Sequence, residues 1–128
     1  MSETEKITIN LGLVDLGQID LLVQESFYAN RTDFIRTAIR NQLSVHRDDV
    51  RETVARRTMV LGLQHFTRED LEAVRDSGAR LDIRVLGLAT IADDVSPELA
   101  TDTIASVTVL GAFRASRAVR RALADRTR

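Results

Sequence analysis

Residues Lys6 to Leu11 alternate, with Ile7, Ile9 and Leu11 directed one way and Lys6, Thr8 and Asn10 the other. That is the period of a half-buried strand, and Ile and Thr favour a pleated backbone. The next residues have helical character, so the strand has no local partner. A lone strand leaves N–H and C=O groups unpaired on both edges, and it cannot persist without another strand. The economical solution is a second copy of the chain, with two strands pairing as an antiparallel ribbon. Size points the same way, because a first segment of roughly 50 residues buries little surface alone.

Two helical stripes come after the strand. Asp15-Leu16-Gly17-Gln18 has a capping-box pattern, with the carboxylate placed to accept from the backbone of Gln18. Leu16, Ile19, Leu22 and Val23 then repeat at helical spacing, which predicts a helix from about Leu16 to Glu25. After Ser26-Phe27-Tyr28-Ala29, a second capping signal appears in Asn30-Arg31-Thr32-Asp33. Phe34, Ile35, Ala38, Ile39 and Leu43 mark the apolar face of a second helix reaching Leu43 or beyond. Val50 and Val54 extend that face through the charged stretch Arg47 to Arg57.

The stretch from Lys6 to Leu43 resembles the CopG/Arc/MetJ ribbon-helix-helix family of DNA-binding proteins. The specific part is Asn30-Arg31-Thr32-Asp33-Phe34-Ile35-Arg36-Thr37-Ala38-Ile39-Arg40. It is similar to the family's second-helix opening: a polar cap, then Arg, Ser or Thr, an acid, two apolar residues, Arg, any residue, Ala and Ile. The pattern differs at Gly12, where the family often has Pro, and at Phe27, where it often has Gly. Leu13, Val14 and Leu21 are apolar where polar residues are usual. The resemblance implies that Lys6, Thr8 and Asn10 from each strand face base edges, since a two-stranded ribbon fits the major groove of B-DNA. It also implies that the start of the second helix, at Asn30, Arg31 and Thr32, meets a phosphate, as N–H groups at a helix N-terminus suit an anion.

Past residue 57 the chain repeats. Val-Leu-Gly occurs at Val60-Leu61-Gly62, Val85-Leu86-Gly87 and Val109-Leu110-Gly111, at spacings of 25 and 24. Each triplet lies in a β-rich run, followed by a helix-like segment at Thr67 to Ser77, Ser96 to Ile104 or Ser116 to Ala124. Such periods belong to stacked strand–helix units, of which three are the practical minimum. Glycine at equivalent places implies close backbone packing. The expected architecture is α+β. It comprises a ribbon-helix-helix unit over 1–46, a charged helical linker over 47–57, and a small α/β module of three strand–helix repeats over 58–128.

Other chemistries find little footing. The chain has no Cys, which excludes a disulfide framework, a thiol nucleophile and Cys-based metal sites. His46 and His65 stand far apart, so neither a metal nor a cofactor is expected. Asp93-Asp94 reads as a solvated helix entry before Ser96-Pro97. No Ser-His-Asp order, phosphate-cradling loop or nucleotide fingerprint is present, and no enzymatic activity is expected. No apolar run approaches the ~20 residues of a membrane span, and the polar start Ser2-Glu3-Thr4-Glu5-Lys6 is unlike a signal peptide, so a cytoplasmic location is expected. The net charge of -1 does not mark a nucleic-acid binder; placement of charge decides that. Arg114, Arg117, Arg120, Arg121, Arg126 and Arg128 give the end of the chain a basic face, and Val119 and Leu123 give it an apolar one.

The expected function is a sequence-specific regulator of transcription, a repressor, that binds double-stranded DNA as a homodimer. Tetramers or larger assemblies would form through the C-terminal module. The alternative is an interaction protein: an antitoxin or assembly factor whose C-terminal half binds a protein partner.

Overall fold

A computed structural model describes residues 4–128; Ser2 and Glu3 of the polar start lie outside them. The chain forms two compact units, Thr4–Thr53 and Val54–Arg128.

The first unit contains helices α1 (Leu13–Gln24), α2 (Arg31–Val45) and the start of α3 (Arg47–Arg56). The expected strand over Lys6 to Leu11 is not formed within the single chain, where these residues hold no regular element. The reason is the one that makes the stretch informative: a ladder needs a second strand, and one chain supplies none here. Helix α1 also departs from expectation at its start. It begins at Leu13 with Gly12 as its N-cap, which has no side chain to contribute. Asp15 is therefore inside the first turn, where its charge suits the positive end of the helix dipole, and it is not the cap.

Helix α1 ends in a Schellman motif. The Ser26 N–H donates to Val23 O (3.1 Å) and the Phe27 N–H to Leu22 O (2.9 Å), which closes orphan carbonyls of the last turn. Ser26 holds the left-handed position, with φ at 66°. Glycine is the usual occupant there because a Cβ is strained in that region. The turn that the family often builds on glycine is thus made here one residue before Phe27, on serine.

In the second unit, β1 (Val60–Phe66), α4 (Arg68–Ser77), β2 (Leu81–Ile91), α5 (Pro97–Thr103), β3 (Ile104–Arg114) and α6 (Arg117–Ala122) alternate along the chain. The three strands form one parallel sheet in the order β1-β2-β3. Each helix begins on a side-chain cap: Thr67 Oγ1 accepts from Asp70 N in a reciprocal capping box, and Ser96 and Ser116 accept from Leu99 N and Val119 N. These are the three positions that the sequence pattern marks. The last turn of α5 is closed from outside, by two guanidinium groups. Arg126 Nη1 donates to Thr101 O (2.7 Å) and Ile104 O (2.8 Å), and Arg80 Nη2 donates to the same two carbonyls.

All three helices cover one face of the sheet. Leu71, Leu99, Ala100 and Val119 from the helices and Leu123 just after α6 join Ile83, Val85, Ala89, Ile91, Ile104 and Val107 from the strands in a single buried cluster. The opposite face carries Leu61, Leu63, Leu86, Leu88 and Leu110, of which Leu61 and Leu63 are 63% and 66% exposed.

The repeated triplets are laterally aligned. Val60, Val85 and Val109 are in register, as are Leu61, Leu86 and Leu110, and then Gly62, Gly87 and Gly111. The glycines form a row across the sheet in which each carbonyl abuts the Cα of the next. A Cβ on Gly87 would lie 2.2 Å from Gly62 O, and one on Gly111 would lie 2.1 Å from Gly87 O. All three have φ between +117° and +138°, a region only glycine enters readily. Gly62 stands at the sheet edge and a Cβ there meets nothing within 4 Å.

Gly87→Ala should therefore cost about 3 kcal/mol or more, combining backbone strain with overlap against a carbonyl. Gly62→Ala should cost only the strain, about 1–2 kcal/mol; urea denaturation of the two variants checks the order. Ser26→Gly should stabilise the first unit by about 1 kcal/mol, read as a rise in its melting temperature.

Candidate nucleic-acid interface

The residues expected to contact DNA fall into two groups, both in the unit Thr4–Thr53. Lys6, Thr8 and Asn10 are exposed. None of their side chains has a hydrogen-bond or ion-pair partner among the described residues. Ile7 and Ile9, which alternate with them, are 75% and 58% exposed. An isoleucine left in water sacrifices about 1.5–3 kcal/mol of burial, so this row is unsatisfied in the single chain. Among the described residues the whole unit buries one hydrophobic side chain, Ile19, while Leu11, Leu13, Val14, Leu21, Phe27, Ile39, Leu43 and Val45 also stand exposed.

Asn30, Arg31 and Thr32 lie together at the start of α2. Asn30 is the N-cap, its side-chain oxygen accepting from Asp33 N at 2.8 Å. Asp33 in turn accepts from Ala29 N at 2.9 Å, and the first intrahelical bond is Phe34 N–H to Asn30 O. The N–H groups of Arg31 and Thr32, at the first two helical positions, have no intrahelical acceptor by the geometry of a helix start. They are the groups that an anion would engage.

Arg31 itself is committed elsewhere. Its guanidinium makes a two-pronged contact with Asp20 of α1, Nε to Oδ1 at 2.7 Å and Nη2 to Oδ2 at 2.8 Å. The fork matches the carboxylate plane, which gives the pair its geometric definition. The hydrogen bond from Arg31, more than its charge, holds the Asp20 carboxyl below the usual carboxylate range, and Arg31 is raised in return. Sequence reasoning missed Asp20. It lies 11 residues from Arg31, outside any helical or capping period, and so leaves no local signal. The contact ties the entrance of α2 to the middle of α1. An edge-to-face pair of Tyr28 and Phe34, with centroids 5.0 Å apart, packs beside the same turn.

Arg36 and Arg40 are exposed on α2 and stand outside the ion pairs found among the described residues. His46 contacts Asp49 (3.2 Å) and Gln42 (3.4 Å), whereas His65 bonds the Thr90 hydroxyl across the sheet. No cluster of three or more His, Asp or Glu side chains able to hold a metal occurs among the described residues. Nor is any helix among them long and apolar enough to cross a membrane.

Residues 2–120 match the ribbon-helix-helix transcriptional regulator family. The match spans nearly the whole sequence, and the chain belongs to that family, a class of DNA-binding regulators of transcription. No curated protein and no solved structure matches it.

The pair of Asp20 and Arg31 has a pH signature. Asp20 is depressed in the folded chain, so its contribution is complete above the unfolded carboxylate value of about 3.9 and fades as pH falls through the lower folded value. Carboxyl carbon NMR should show Asp20 titrating below that reference in the wild type and returning to it in Arg31→Gln.

Proposed function

We propose that the chain is a sequence-specific repressor that binds double-stranded DNA as a homodimer and reads the major groove with an intermolecular two-stranded ribbon. The observation that carries this reading is the unmet requirement of the first unit. Ile7, Ile9 and Leu11 form one exposed row, the backbone between Lys6 and Leu11 has no ladder, and Ile19 is the unit's one buried hydrophobic among the described residues. A second copy of the same stretch, running antiparallel, supplies the hydrogen bonds and covers the row. The exposed row on the opposite side then displays Lys6, Thr8 and Asn10 twice, related by a two-fold axis that matches a palindromic site.

Each of those side chains has suitable chemistry. Lys6 donates to guanine O6 or N7, and Asn10 offers the paired donor and acceptor that adenine favours. Thr8 contributes a hydroxyl, or a methyl to thymine. Asn30, Arg31 and Thr32 position the dimer on the phosphate backbone. In this reading Arg31 acts through its N–H and through the fork to Asp20 that fixes the helix entrance, so the guanidinium is a positioning group. The protein then works where the DNA is, in the cytoplasm. The folded C-terminal sheet, with its buried cluster, weighs against an antitoxin tail that orders only on binding.

The test is a salt titration of binding to a mixed pool of short duplexes, comparing wild type with Lys6→Ala/Asn10→Ala. Each lost base contact is worth about 1–3 kcal/mol. The double variant should therefore lose at least about tenfold in affinity for the preferred duplexes, fall to the same level on all, and still weaken with salt. Failure of the folded wild type to bind at low salt, or unchanged selectivity in the variant, would overturn the reading.

A further inference from the structure

The sheet of the second unit has two edges, and they are treated differently. The β3 edge is partly covered by the end of the chain itself: Thr127 bridges to Val107, and the Arg128 N–H donates to Val107 O at 2.8 Å. Strand β3 also ends on a charge, Arg114. At the other edge, β1 pairs with β2 alone, and its outward amides and carbonyls face no strand among the described residues.

Edge strands are normally protected by lysine, proline, a bulge or a covering element, because an open row of amides recruits other strands. Strand β1, Val60-Leu61-Gly62-Leu63-Gln64-His65-Phe66, contains no Lys, Arg, Asp, Glu or Pro. Its first four residues, Val60 to Leu63, are apolar or glycine on both faces as well. Val60, on the helix side, is 43% exposed, and Leu61 and Leu63 on the other side are more so. A seven-residue strand with open amides and no charge is built to be paired.

We propose that the β1 edge is a second interface between copies of this chain, formed by β1 pairing antiparallel with its twin into a continuous six-stranded sheet. Self-complementarity selects this occupant. With no charge along the strand, two copies meet without the like-charge repulsion that penalises identical strands. Leu61 and Leu63 share a face, so a register centred on Gly62 sets Leu61 of one copy against Leu63 of the other. The apolar band Leu61, Leu86 and Leu110 then runs unbroken across both sheets. One strand pair with three side chains buries less than the ~1,200 Å² of a free-standing interface. The contact therefore draws on the local concentration that a first tether provides, and in that respect it rests on the ribbon pairing proposed above.

The test uses the full chain and reads both interfaces in one measurement. Amide hydrogen exchange over residues 6–11 reports the ribbon, and exchange of the outward amides over 60–66 reports the edge. The expected result is protection of the outward β1 amides, lost at least about tenfold in Leu61→Lys/Leu63→Lys while residues 6–11 and the core amides of β2 keep theirs. Leu63→Cys, which introduces the chain's single thiol, should be joined to a second copy by a short bis-maleimide, whereas Glu98→Cys on α5 should not. Outward amides that exchange unprotected would overturn the proposal even if residues 6–11 are protected. Protection that survives the double lysine variant would overturn it too. So would protection without cross-linking, which would assign the cover to another part of the chain or to another protein.

Discussion

A strand withdrawn from water must satisfy its N–H and C=O groups in pairs, and each unit of this chain meets that requirement to a different degree. In residues 54–128 the sequence supplies three strands, and the sheet closes most of its own hydrogen bonds over one buried cluster. In residues 4–53 it supplies one stretch of strand character and nothing to pair with it. The consequence is chemical as well as structural. In the proposed dimer, a segment completed by its twin would present its outward side chains in symmetric duplicate, the arrangement that a two-fold DNA site reads.

Helix α2 shows how a short sequence can fix the entrance of a helix. Asn30, itself extended, caps the helix that follows, Asp33 reaches back to Ala29, and Arg31 reaches sideways to Asp20. The three contacts leave the first amides of the helix pointing outward, on an entrance held by a forked ion pair. If a phosphate binds there as proposed, it would meet groups already aligned, with little ordering left to be done on binding.

Local chemistry is legible in the sequence wherever one short window contains both ends of an interaction. Asn30 with Asp33, Thr67 with Asp70, Ser96 with Leu99 and Ser116 with Val119 are all three apart, and the helices begin where those pairs place them. The Val-Leu-Gly triplets likewise mark equivalent strands, and the crowding at Gly87 and Gly111 explains why glycine recurs. Legibility ends where the partner is distant or missing. Asp20 is invisible from Arg31, and the alternation over Lys6 to Leu11 describes a strand that one chain cannot make. Asp15 has the look of a cap and misplaces the start of α1, since the helix begins at Leu13, ahead of it. The two guanidinium groups at the end of α5 come from positions before β2 and after α6, and no periodicity links them.

The glycine row has one more effect, on how the sheet finds its order during folding. Because each carbonyl fits only against a residue without a Cβ, sliding one strand by a single position would drive a leucine or an alanine into it. The row is thus a ratchet with one tooth per strand, and it fixes alignment sharply. It says nothing about neighbours, since the three teeth are the same. Which strand lies beside which is left to the tethers, the short crossovers through α4 and α5. Alignment and adjacency are therefore written in separate parts of the sequence, and a change in one leaves the other readable.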